Sequence, residues 1–191
     1  MAAKSGPISG DPEVAHFQAI PWCARYLAAP GLTIVPAFSR SPKPRFEDAL
    51  LSQTLKTHDT VSAYICFYPR PADELTYLPE LKAFVTLGNL VSGYPGTCHG
   101  GIVATVLDEA LSFISPGARL RFEKQKAPEV MTAYLNTRYL RPVSVPGTYL
   151  VKTWLVKSEG RKIFVEGCIE NANGERVAEA NALFVEIRQR L

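Results

Sequence analysis

Residues 100–114 constrain this chain more than any other stretch. Ile102, Val103, Val106, Leu107, Ala110, Leu111 and Ile114 recur at helical spacing. At about 100° per residue they cover roughly half of a helix circumference. A helix that apolar must be covered, and Ser115-Pro116-Gly117 ends it. Beyond a charged loop at 118–128, four stretches read as strands, at about 130–141, 148–158, 161–171 and 175–188. Their connections are 142–147, the tight Glu159-Gly160, and the turn-forming Asn171-Ala172-Asn173-Gly174. Ahead of the helix, 61–68 and 81–91 are strand candidates and 92–98 is a Gly/Pro-containing loop. Strands do not alternate with helices, so a parallel sheet is excluded. The expectation is an α+β fold, one long central helix against an antiparallel sheet that ends in a four-strand meander. Ala178, Ala180 and Ala182 share one face of the last strand and would let the helix approach closely.

The first part of the chain reads differently. Residues 1–12 are expected to be disordered, and 13–29 to form an amphipathic helix stopped by Pro30-Gly31. Pro21 either starts that helix or kinks it. Residues 36–46 hold three prolines and read as a connector, with a short helix near 46–57. The expected division is an N-terminal extension at 1–58 and a main domain at 59–191, a length that supports one real core. Net charge is +3, with basic residues scattered, so nucleic acid is excluded as a partner. No apolar run approaches the roughly 20 residues of a membrane span. Met1 to Gly10 do not resemble a secretory signal. Cys23, Cys66, Cys98 and Cys168 form no CxxC pair and the chain has three histidines, so no metal site is expected. Free thiols fit a reducing, cytoplasmic address. Peroxisome and mitochondrion stay open, since Gln189-Arg190-Leu191 is a distant relative of a peroxisomal tripeptide.

Two features of the helix carry chemistry. Asp108 and Glu109 each sit at a border of its apolar arc. A carboxylate beside buried surface costs stability unless paired, and such a cost often marks a functional site. Both acids could instead reach solvent at the helix flanks, and periodicity does not choose between them. The second feature is Thr97-Cys98-His99-Gly100-Gly101 at the helix start. Two glycines there bare backbone N–H groups, and those groups with the helix dipole favour a negative oxygen. This is a plausible oxyanion hole, although a glycine pair before a helix is commonly just a turn.

The run His99-Gly100-Gly101-Ile102-Val103-Ala104-Thr105-Val106-Leu107-Asp108 resembles the His-Gly-Gly signature of hotdog-fold thioesterases. The similarity is to the phenylacetate-pathway type and the mammalian thioesterase-superfamily members, over about 81–187. It implies a hotdog fold with Asp108 as the catalytic acid, nine residues after His99. Asn136-Thr137-Arg138-Tyr139-Leu140-Arg141-Pro142 is similar to the family's strand ending in Arg-Pro, and Thr132 matches a Ser/Thr that holds the attacking water. Thr132 and Asn136 are four apart on a strand, so they are expected to share a face. Where many members carry Asn or Gln, six residues before the His, this chain has Gly93, which shifts water positioning to Thr132. His99 is expected to shape the loop. Cys98 and His99 are adjacent and make a poor nucleophile pair.

The resemblance implies hydrolysis of an acyl-coenzyme A thioester with no cofactor, coenzyme A or phosphopantetheine entering as part of the substrate. Asn136, Gly93, Arg138, Arg161 and Lys162 are the expected substrate-binding residues, with Lys157 and Arg141 as further cations for phosphates. Release of an acyl or polyketide product from an acyl carrier protein is the main alternative. A hydratase or dehydratase using His99, and an acyl-binding module without catalysis, are others. Gly100 and Asp108 are eight residues apart, about 12 Å along the helix at ~1.5 Å rise. One helix cannot bring both to one carbonyl, so a homodimer or dimer of dimers with shared sites is expected.

Overall fold

The computed structural model describes residues 10–70, 78–115, 122 and 128–187. In chain order it contains α1 (Pro12–Gln18), α2 (Pro21–Leu27), β1 (Leu32–Pro36), β2 (Val61–Pro69), β3 (Glu80–Leu87), β4 (Ser92–Tyr94) and β5 (Thr97–Cys98). The central helix α3 (Gly100–Ser112) follows, then β6 (Val130–Tyr139), β7 (Gly147–Glu159), β8 (Lys162–Glu170) and β9 (Arg176–Glu186). Seven strands form one antiparallel sheet in the order β1-β2-β3-β7-β8-β9-β6.

The helix sits where the small residues allow it. Ala178, Ala180 and Ala182 are buried beneath α3 together with Val103, Val106, Leu107, Ala110 and Leu111. Gly167 on β8 completes the seat. A Cβ there would lie 2.6 Å from the Lys152 carbonyl oxygen and 3.0 Å from Leu111 Cδ2. The other side of the sheet is covered by α1 and α2, whose Val14, Phe17, Cys23 and Leu27 bury Ala63, Ile65, Phe67, Phe84 and Leu150. β2 and β3 are therefore apolar on both faces, which explains their nearly continuous hydrophobic runs.

Several expectations need correction. The helix at 13–29 is two helices. Ile20 is extended (φ −95°, ψ 114°), as a residue before proline prefers, and Pro21 starts α2 without an N–H to continue α1. Of residues 1–12, 1–9 lie outside the described residues, while Asp11 caps α1 by accepting from the Glu13 and Val14 N–H groups. β1 was not foreseen; it forms the edge of the sheet, where its terminal Pro36 removes no needed donor. The helix near 46–57 shrinks to a π-type turn at Leu50–Thr54, because Arg45, Phe46 and Asp48 take positive φ. β3 stops at Leu87, and Asn89–Val91 is a 3-10 turn. The 92–98 loop contains the small β4–β5 hairpin. The meander holds only for β7, β8 and β9. β6 pairs with β9 because β3 already occupies the free edge of β7. Apart from Phe122 and Pro128, the charged loop at 118–128 is outside the described residues, as is the C-terminal tripeptide.

Candidate active site

The first turn of α3 is arranged by its neighbours. His99 is the N-cap, with extended backbone (φ −62°, ψ 132°), and its Nδ1 accepts from the Gly101 N–H at 2.9 Å. The Ile102 and Val103 N–H groups donate to the His99 carbonyl at 2.9 and 3.2 Å. Those bonds leave the Gly100 N–H as the first-turn donor with no partner among the described residues. Of the two expected oxyanion donors, Gly100 is thus available and Gly101 is engaged. The Tyr139 hydroxyl donates to the Gly100 carbonyl at 3.0 Å, and its ring lies 3.5 Å from where a Gly100 Cβ would be.

Gly93 explains its own identity. A Cβ there would come within 3.0 Å of His99 Cα and 3.3 Å of the imidazole Cδ2. The missing Asn or Gln is the consequence of a cap histidine folded over the β4–β5 hairpin. A cleft of ≈ 600 Å³ opens here, lined among others by Gly93, His99, Gly100, Tyr139 and Arg141. Cys98 is buried and its thiol is pushed up to about 11 by desolvation, while the His99 Nδ1 is occupied by the cap. Both features disfavour that pair as a nucleophile.

Asp108 lies farther along α3, half-buried, and its Oδ1 accepts from the Thr132 hydroxyl at 2.9 Å. Burial raises its carboxyl above the usual carboxylate range, and the Thr132 bond opposes that rise. Glu109 turns the other way. Burial pushes it up to about 7. Its Oε1 has no hydrogen-bond partner among the described residues, and neither has Ser39 Oγ. The hydroxyl therefore pulls on Glu109 as a nearby dipole rather than through a formed bond. Each such unpaired buried atom costs about 1–3 kcal/mol.

Thr132 and Asn136 do not share a face. The β6–β9 register slips between Thr132 and Tyr134, so Thr132 and Phe184 face α3 whereas Asn136 and Asn181 face outward. Asn136 Nδ2 donates to Asn181 Oδ1 at 3.0 Å, and Arg138 is committed to Glu179 at 2.6 Å on that same outer face. The slip brings Tyr139, unremarked in the sequence, under the helix terminus. Arg161 and Lys162 lie at the β7–β8 turn, at the Thr132 end of the sheet. Arg141 lies at the Gly100 end. No group of three or more His, Cys, Asp or Glu among the described residues is placed to hold a metal ion.

Residues 95–178 match the model of a family described as the thioesterase superfamily. That matched segment is under half of the chain. It includes Gly100, Asp108, Thr132 and Tyr139. Acyl-coenzyme A thioesterase THEM4 of Bos taurus is 34% identical over 101 residues, 52% of this chain and 38% of that protein. The chain thus spans well under half the length of that relative. Verlamelin biosynthesis protein B of Lecanicillium is 28% identical over 164 residues, 71% of each chain. A hypothetical thioesterase of Streptococcus pneumoniae TIGR4, solved with coenzyme A, superposes with a TM-score of 0.53 at 17% identity, covering 69% of this chain and 91% of that one. The likeness shows the fold, and the chain has the hotdog architecture. Within one subunit the arrangement offers an N–H with no partner among the described residues at one end of the helix and a carboxylate with a raised pKa near the other.

Proposed function

We propose that the chain is an acyl thioesterase that hydrolyses an acyl-coenzyme A thioester to the free acid and coenzyme A. The observation that carries this reading is Asp108, held by Thr132 on the helix whose first N–H, at Gly100, is free. The THEM4 relative, named an acyl-coenzyme A thioesterase, supports it. The Gly100 N–H polarises the thioester carbonyl and holds the oxyanion that forms on attack. Asp108, bonded to Thr132 through Oδ1, acts through its carboxylate. It either takes a proton from the attacking water or attacks the carbonyl carbon itself. In both routes the C–S bond breaks and the thiolate leaves with a proton; in the second, water then cleaves the acyl–Asp108 anhydride, which releases the acid and restores the carboxylate. No metal or redox group is needed, and coenzyme A enters as part of the substrate. Arg141 at one end, and Arg161 and Lys162 at the other, are the cations proposed to meet its phosphates.

The site is proposed to be shared between two subunits. Gly100 and Asp108 remain about 12 Å apart along α3 at ~1.5 Å rise, whereas one carbonyl must be reached by both. A second α3, antiparallel across a two-fold axis, closes that gap. β6 supports the pairing: it is an uncovered edge strand with Met131 65%, Tyr134 41% and Tyr139 56% exposed. A homodimer, or a dimer of dimers, is the proposed assembly, with residues 1–58 proposed as an extension of the 59–191 domain.

Release of an acyl product from a carrier protein is the second reading. The Lecanicillium relative favours it, since its name places it in a biosynthesis and it covers 71% of this chain. In the hydratase reading only Nε2 of His99 is left to carry a proton, because Nδ1 is held by the Gly101 N–H. No helix among the described residues is long and apolar enough to cross a membrane, and a cytoplasmic location is proposed. The test is a panel of acyl-coenzyme A and carrier-bound acyl thioesters followed by free-thiol release. Turnover of the coenzyme A esters is expected. Turnover of carrier-bound substrates alone would transfer the assignment to product release, and no thiol release from any ester would refute it.

A further inference from the structure

Strand β6 meets α3 at both of the places where the proposed chemistry happens. Ala178, Ala180 and Ala182 of β9 face α3, so their cross-strand partners Tyr139, Thr137 and Leu135 face it too. Thr132, opposite the buried Phe184, lies on that same face. Thr132 and Tyr139 are seven residues apart, and in a regular strand an odd spacing sends two side chains to opposite sides. The register slip between Thr132 and Tyr134 cancels that difference. One hydroxyl then reaches each end of the machinery. Thr132 Oγ1 donates to Asp108 Oδ1 at 2.9 Å, and Tyr139 Oη donates to the Gly100 carbonyl at 3.0 Å. Hydrolysis as proposed uses Thr132 and leaves Tyr139 without a role.

Tyr139 is held firmly enough to act as a brace. It is the last residue of β6, and the chain after it is pinned, because the Leu140 and Arg141 N–H groups both donate to the Val177 carbonyl, at 2.9 and 3.1 Å. Its target needs bracing. Gly100 and Gly101 have no side chains to fix their backbone, and the first N–H groups of a helix have no partner within it. The peptide unit between the two glycines is gripped at both edges. Its carbonyl accepts from Tyr139, and its N–H donates to His99 Nδ1 at 2.9 Å. A bond to the carbonyl also polarises the unit and strengthens its N–H as a donor. The unit before it is held through the His99 carbonyl, which accepts from the Ile102 and Val103 N–H groups. With both units fixed, the Gly100 N–H has one direction, outward at the helix end. It stands there beside the ≈ 600 Å³ cleft that Gly100 and Tyr139 both line.

We propose that Tyr139 is a positioning residue for the oxyanion site: through the Gly100 carbonyl it keeps the Gly100 N–H aimed at the oxygen that becomes negative. The proposal rests on the thioesterase reading and deepens it. It assigns Tyr139 to the half-site of its own Gly100, which in the proposed dimer is completed by Asp108 of the other copy. An oxyanion donor works only within a narrow range of distance and angle, so a small rotation of this peptide weakens the transition state more than the bound ester. The experiment is Tyr139→Phe, which removes the hydroxyl and keeps the ring, assayed on an acyl-coenzyme A ester that the unaltered protein hydrolyses. kcat is expected to fall about 10-fold while KM stays within about twofold, because the donor acts on a charge that exists only in the transition state. The second readout is one that a general loosening of the fold would not give. In a heterodimer of an Asp108→Asn chain with an Asp108 chain, the surviving site uses Gly100 of the Asp108→Asn chain. Tyr139→Phe should slow that heterodimer about 10-fold when the Asp108→Asn chain carries it, and far less when the other chain does. Three results overturn the proposal. Unchanged kcat in Tyr139→Phe removes the role, a raised KM alone makes Tyr139 a substrate contact, and equal slowing of both heterodimers makes it a brace of the whole fold. An unaltered protein that hydrolyses no ester overturns the thioesterase reading itself, before any variant is compared.

Discussion

Thr132 shows how one hydroxyl governs a carboxylate. Burial raises Asp108, and the bond from Thr132 Oγ1 lowers it. Asp108 must be ionised to serve as base or nucleophile, so kcat/KM falls as pH drops through its pKa. Thr132→Ala removes the lowering bond, so that acidic limb should move to higher pH. kcat should fall about 10-fold or more while KM changes little, since a group that orients the acid acts mainly in the transition state. A pH–rate profile of both proteins checks this; an unmoved limb with a raised KM would make Thr132 a substrate contact instead. The resemblance picks out Asp108 by its distance from His99, and its bond from Thr132 was legible only as a family match. Glu109 was ambiguous for a physical reason: its environment is made by Ser39 and Tyr64, which are remote in sequence. The availability of Gly100 rather than Gly101 depends on an imidazole rotamer, and periodicity carries no information about that.

The elements were mostly legible where the pattern was local. α3, β7, β8 and β9 follow from apolar spacing and turn residues, and the alanine row on β9 does lie under α3. β6 was legible as a strand, although its neighbour was not, because pairing with β9 depends on β3 taking the edge of β7. The register slip after Thr132 also left no mark in the sequence, and it reversed the face of Asn136. The first residues are bound more tightly than a proline-rich connector suggests. Arg40 is 2% exposed and joins Glu13 of α1 to the carbonyls of Leu51 and Val61. Glu13 also accepts from the Tyr64 N–H at 2.6 Å. Arg40→Ala should destabilise the fold by about 3 kcal/mol, because a largely buried carboxylate keeps only the Tyr64 N–H and the half-exposed Lys56, and two buried carbonyls lose their donor. Urea denaturation measures it. A loss below about 1 kcal/mol, the scale of an exposed ion pair, would mean that α1 is held by its apolar face alone.

The whole molecule turns on a length. Under the proposed function, the helix carries an oxyanion donor at one end and a carboxylate eight residues away, and so serves two half-sites, each complete only with a second copy. In the proposed antiparallel pair the β6 edges meet, with Arg141 at one end of the sheet and Arg161 and Lys162 at the other. The most direct measurement of this account mixes subunits. Asp108→Asn alone should be nearly inactive, and so should Gly100→Val, whose added bulk crowds the free N–H and the Tyr139 ring. After subunit exchange, proven by differently tagged chains, the mixed dimer keeps one site with Gly100 from one copy and Asp108 from the other. The account predicts recovery of thiol release in proportion to the heterodimer, to about half the wild-type rate per dimer in an isolated heterodimer. A fully active monomer, or an exchanged heterodimer as inactive as its parents, would contradict it.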